Sequence, residues 1–119
     1  MTTITVCTTC RLPDRRDIKT ETPQGEAFLD RMTQAAEAQG IAVRGTACLM
    51  GCEHGCNIAI SAPGKLTYVL GRFEGTDADA RAVAEYAAGH AASDSGAVPF
   101  REWPQGVKGH FIARVPPLD

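Results

Sequence analysis

The spacing of apolar positions changes repeatedly along this chain, and each change marks an element. Ile4-Thr5-Val6-Cys7 alternates and is β-branched, which predicts a short strand with Cys7 at its C-terminal end. Thr8 to Gln24 is polar and basic, holds Pro13 and Pro23, and reads mostly as loop. Thr22-Pro23 has the form of an N-cap followed by proline at the first helical position. Phe28, Met32, Ala35, Ala36 and Gln39 then fall near helical spacing, and Gly40 is a natural stop. Ile41-Ala42-Val43 opens a second strand that runs to about Thr46. A glycine-punctuated loop follows, from Cys48 to Cys56. Asn57 to Ser61 alternates as a third strand, Ala62-Pro63-Gly64-Lys65 is a turn, and Leu66 to Leu70 completes a hairpin. Thr76 or Asp77 caps a second helix whose face is Ala80, Val83, Ala84, Ala87 and Ala88. That alanine-rich face permits close approach to a sheet.

Ser93 to Gly96 breaks the second helix. The tail beyond it carries Trp103, Phe111 and Ile112, but also Pro99, Pro104, Pro116 and Pro117. This composition predicts an irregular segment packed over the domain. The expected architecture is α/β, in the order β-α-β-β-β-α with a mixed sheet, with residues 1–97 as the domain and 98–119 as the tail. A strand, a helix and a second strand make a right-handed parallel crossover, so the two parallel strands end at the same edge of the sheet. Cys7 and Cys10 follow the first strand, while Cys48 and Cys52 follow the second. Topology therefore predicts that two cysteine pairs converge.

Composition narrows the function. At 119 residues the chain is about one domain, and its 44% apolar and 22% charged content excludes a disordered tail, a collagen repeat and a coiled coil. No apolar run approaches the roughly 20 residues of a membrane span, and Met1-Thr2-Thr3-Ile4-Thr5 does not read as an export signal. A net charge of −2 is unlike the basic footprint of a nucleic-acid binder. A cytoplasmic protein is expected, with neither nucleic acid nor membrane as partner. There is no phosphate-binding loop, dinucleotide fingerprint or nucleophile elbow, so no catalytic residue is assigned and no enzyme is expected.

Five cysteines in such a chain point to metal or redox chemistry rather than a disulfide framework. Cys7-Thr8-Thr9-Cys10 is a two-residue-spaced chelate; Cys48 and Cys52 are spaced by three, and Cys56 repeats that step. Gly51 and Gly55 allow tight turns that bring backbone N–H groups toward sulfur. A 2Fe-2S cluster needs four thiolates, two per iron, and two such chelates meet that demand. A single zinc ion takes four thiolates as well. A bare dithiol of thioredoxin type and a set of inert buried thiols are the other readings.

The combination of β-α-β-β-β-α order with Val6-Cys7-Thr8-Thr9-Cys10 and Cys48-Leu49-Met50-Gly51-Cys52 resembles the thioredoxin-like 2Fe-2S ferredoxins. It also resembles the related small subunit on the NADH side of respiratory complex I. Over the whole chain, including Trp103-Pro104 and Arg114-Val115-Pro116-Pro117, it is similar to a bacterial family of predicted metal-binding proteins. These resemblances imply a thioredoxin-like fold and a 2Fe-2S electron carrier, with Cys7, Cys10, Cys48 and Cys52 as the cofactor-binding metal ligands. They also imply a redox partner protein (reductase or acceptor), a possible homodimer, and a cobalamin-related or other metabolic redox pathway. The alternative is a zinc-binding structural or metal-handling module. Cys56 stands where the ferredoxins have proline, and is expected to be a spare thiol at the start of the third strand; the alternative ligand set has Cys56 in place of Cys10 or Cys52. His54 is expected to be an exposed loop residue, Arg11, Arg15, Arg16 and Lys19 a solvated or partner-docking patch, and Trp103 an anchor for the tail.

Overall fold

The structure is a computed structural model and describes residues 2–8, 24–46 and 56–117. The elements are β1 (Thr3–Cys7), α1 (Gln24–Glu37), β2 (Ala42–Thr46), β3 (Cys56–Ser61), β4 (Thr67–Phe73), α2 (Asp77–Ala92) and β5 (Phe111–Val115). They build one mixed sheet in the order β2-β1-β3-β4-β5, with β1 and β2 parallel and every other neighbour antiparallel. This is the thioredoxin-like β-α-β-β-β-α arrangement with one added strand. Both helices share a single core with the sheet, made by Ile4, Val6, Ile58, Ile60 and Leu70 below and by Phe28, Met32, Ala36, Val83 and Ala87 above.

Local chemistry accounts for the element ends. Gly40, at φ +69°, closes α1: its N–H bonds the Glu37 carbonyl at 3.2 Å, and the Ile41 N–H bonds Ala36 at 3.1 Å. That pair of bonds needs a left-handed residue after the helix, the conformation glycine adopts at least cost. Thr76 caps α2, its hydroxyl accepting from the Asp79 N–H at 3.1 Å. The Asp79 carboxylate reaches back to the N–H groups of Glu74 and Gly75, at 3.0 and 3.2 Å. Strand β4 runs three residues past the expected Leu70 because a bulge interrupts its alternation. Arg72 occupies φ +65° and points outward, which turns Phe73 into the core opposite Cys56.

The tail is more regular than its prolines suggest. Pro99 and Pro104 each precede a short 3-10 turn, and Pro116 and Pro117 follow β5, so none interrupts the ladder with β4. Trp103 anchors the segment: its indole N–H donates to the Val98 carbonyl at 2.8 Å, and its ring lies 4.5 Å from that of Phe111. Tyr68 and Tyr86 meet Phe111 at 5.7 and 5.3 Å. Among the described residues, no helix is long and apolar enough to cross a membrane.

At the end of the sheet where β1 begins, a buried histidine joins three elements. His90 Nε2 lies 2.7 Å from the Leu66 carbonyl, which can only accept, so this nitrogen carries the proton. Nδ1 then accepts from the Thr2 hydroxyl at 2.8 Å. Burial pushes the His90 pKa below the usual histidine range; the Leu66 carbonyl opposes that shift and the Lys65 charge adds to it. The folded chain thus binds fewer protons here than the unfolded chain. The stability from this group is complete above about pH 6.5 and is lost as pH falls below it. Urea unfolding midpoints should therefore drop between about pH 7.5 and 5.5, and His90→Gln should lower the midpoint at the upper pH while flattening the slope.

Candidate metal centre

Parallel pairing brings the cysteine-bearing segments to one edge. Cys7 is the register partner of Thr46, so β1 and β2 finish side by side. Thr8 extends the pairing by one step, with its N–H 2.8 Å and its hydroxyl 3.0 Å from the Thr46 carbonyl. Strand β3 runs the other way and begins at this edge with Cys56. The edge therefore holds Cys7, the exit toward Cys10, the exit toward Cys48 and Cys52, and Cys56. Cys10, Cys48 and Cys52 themselves lie outside the described residues, as do His54, Arg11, Arg15, Arg16 and Lys19. Among the described residues, no three His, Cys, Asp or Glu side chains group into a metal site.

The two described thiols are both fully buried, and strand alternation assigns them to different faces of the sheet. Strand alternation puts Cys7 in phase with Thr5, whose hydroxyl accepts from Arg44 at 3.2 Å on the face away from the helices. Cys56 is in phase with Ile58 and Ile60 and belongs to the core. A Cβ added at Gly75 would stand 3.6 Å from Cys56 Sγ and 3.5 Å from Phe28 Cβ, which locates this thiol between α1 and the start of α2. Desolvation, helped by the charges of Asp79 and Cys7, pushes the Cys56 thiol up to about 11. An apolar thiol of this kind is a packing group, deeper than the strand-start position suggests.

Both helices begin at the cysteine edge. Thr8 shares a surface hollow with Glu26, Ala27, Leu29 and Asp30 of the first turns of α1. Gly75, next to Cys56, leads into α2, and Arg31 of α1 donates to its carbonyl. Both helix N-termini, which carry partial positive charge, thus lie at the edge where β1 and β2 end. The two described histidines are divided between the ends. His90 lies at the opposite end of the sheet, whereas His110 stacks on Phe73 at 4.3 Å and an interplanar angle of 5°. Its Nδ1 donates to the Gly71 carbonyl at 2.8 Å, which puts this tail residue next to the strand that pairs with Cys56. Nothing in the residue spacing signals that approach, because it depends on β5.

An α/β protein of thioredoxin-like arrangement, with cysteine at the shared end of its parallel strands, is the class these features define. The chain belongs to the family described as "Protein of unknown function (DUF1636)", whose profile matches residues 4–117. No curated protein and no solved structure matches it.

The burial of Cys56 in the core predicts low reactivity. In the native chain near pH 8, Cys56 should resist iodoacetamide and become labelled only when urea unfolds the protein, as read by peptide mass spectrometry. Labelling of Cys56 in the native chain at the rate of a free thiol would contradict its burial.

Proposed function

We propose that this protein is a one-electron carrier of the 2Fe-2S ferredoxin type. Cys7, Cys10, Cys48 and Cys52 would hold the cluster, and the protein would serve a redox partner protein in the reducing cytoplasm. The observation that carries this reading is the pair of hydrogen bonds from Thr8 to the Thr46 carbonyl. Cys10 stands two residues beyond Thr8 and Cys48 two residues beyond Thr46, so at most about 7 Å of chain separates either cysteine from this joined pair. Two chelates tethered so closely can meet on one centre without any rearrangement of the sheet.

The chain's own residues suit an anionic centre. Cys7 lies on the face away from the core, and Cys56 is occupied in packing, which leaves four thiols for ligation. Helix N-termini at the same edge would favour the thiolate form and stabilise the negative charge added on reduction. When bound, a 2Fe-2S cluster supplies reversible single-electron transfer, and the protein's part is to hold it and restrict access to it. Such a role requires no acid-base pair and no substrate pocket. The contact with a reductase or acceptor would be small and transient, at the rim of this edge.

Chain purified in air should be red-brown and contain iron and acid-labile sulfide in equal amounts. Reduction should produce the electron paramagnetic resonance signal of a single unpaired spin. Ser at position 7, 10, 48 or 52 should abolish or strongly perturb that signal, while Cys56→Ser should retain it and lose stability by about 1–3 kcal/mol, from a hydroxyl buried among apolar groups. A colourless chain with stoichiometric zinc would reject the electron-carrier reading in favour of a zinc module, and loss of the cluster from Cys56→Ser but not from Cys10→Ser would overturn the ligand set.

A further inference from the structure

We propose that Thr8 is a positioning residue for this centre, setting the separation of the two cysteine segments through its side chain; the inference rests on the metal reading above. Three observations meet at this residue. Its N–H already bonds the Thr46 carbonyl at 2.8 Å, which is all that a parallel ladder needs to continue by one step. Its hydroxyl donates to the same carbonyl at 3.0 Å and takes up the oxygen's second lone pair. Its methyl occupies the space a side chain at Gly45 would need: a Cβ there would stand 2.7 Å from Thr8 Cγ2 and 3.0 Å from Leu29 Cδ2. Contacts under 3.0 Å cannot persist, so glycine at 45 is what admits the threonine side chain.

The hydroxyl and the methyl are thus each held by a separate contact, one by the Thr46 carbonyl and one by the gap above Gly45. This leaves the Thr8 side chain little rotational freedom. Thr8 lies between Cys7 and Cys10, and Thr46 lies two residues before Cys48. A rigid joint at this point transmits the geometry of the sheet to both chelates. Without the hydroxyl, the ladder from Thr3 to Cys7 would still join the strands, but beyond it a single bond, from the Thr8 N–H, would remain at the point where the two exits diverge.

The test uses the full chain loaded with iron and sulfide. Thr8→Val keeps the branched shape and deletes the donor, whereas Thr8→Ser keeps the donor and deletes the methyl. Thr8→Val should release iron to excess ferrous chelator about three- to tenfold faster, the equivalent of one hydrogen bond, with Thr8→Ser nearer the wild type than Thr8→Val. Visible circular dichroism of the loaded protein reports the arrangement of thiolates around iron; it should change in Thr8→Val and be restored in Thr8→Ser. A merely structural role would lower the unfolding midpoint of the metal-free chain and leave that spectrum unmoved, and this outcome overturns the proposal. Thr8→Ser behaving like Thr8→Val also overturns it, because the donor would then not be what matters. A wild-type chain that takes up neither iron nor zinc rejects the metal reading itself, and the positioning role with it.

Discussion

The parallel pairing of β1 and β2 is the constraint from which the rest of the molecule follows. Parallel neighbours cannot be joined by a tight turn, so the chain must cross over the sheet between them, and α1 is the helical part of that crossing. The same geometry makes both strands finish at one edge, whatever the length of the segments that follow. Register from Thr3 with Ala42 to Cys7 with Thr46 then aligns those finishes residue by residue. The antiparallel strands β3, β4 and β5 widen this pair and supply most of the surface on which Tyr86, Val83 and Ala87 of α2 pack.

The two ends of the sheet consequently do different work. One end gathers strand finishes, helix starts and sulfur. The other is tied by His90, which bonds Thr2 before β1 and Leu66 before β4, and by Lys65, whose ammonium bonds the carbonyls of His90 and Ala91 at the close of α2. A cation at a helix C-terminus is favourable, and here it also covers the histidine.

Much of this was legible in the residues, because periodicity reports burial directly. The strand containing Ile58 and Ile60, the helix turns of Phe28, Met32 and Ala36, and the Thr76 cap all stand where their spacing put them. What escaped reading depends on partners remote in sequence. Phe73 was hidden because the bulge at Arg72 shifts it out of alternation with Leu70. β5 was hidden because the surrounding prolines dominate the tail's composition, although they stand only before and after the strand. At Cys56 two patterns compete: its spacing from Cys52 suggests a further chelate, whereas its phase with Ile58 assigns it to the core. Strand phase prevailed, as the apolar neighbours on that face required. Nothing in the helix spacing marks His90, since its partners Thr2 and Leu66 come from elsewhere in the chain. For the candidate centre, the convergence of the two exits was legible from topology alone, whereas the joint made by Thr8 and Gly45 needed atomic contacts to be seen.

The course of the tail has a consequence for how this fold can be divided. β5 covers the border of β4, and Trp103 and Phe111 cover the rings of Tyr68 and Tyr86. A chain cut before Val98 would keep every element of the β-α-β-β-β-α unit, yet it would present a raw strand border beside uncovered aromatic surface. Borders of that kind recruit other chains. Without its last twenty or so residues the chain would thus expose a strand border and two rings that every full copy keeps covered.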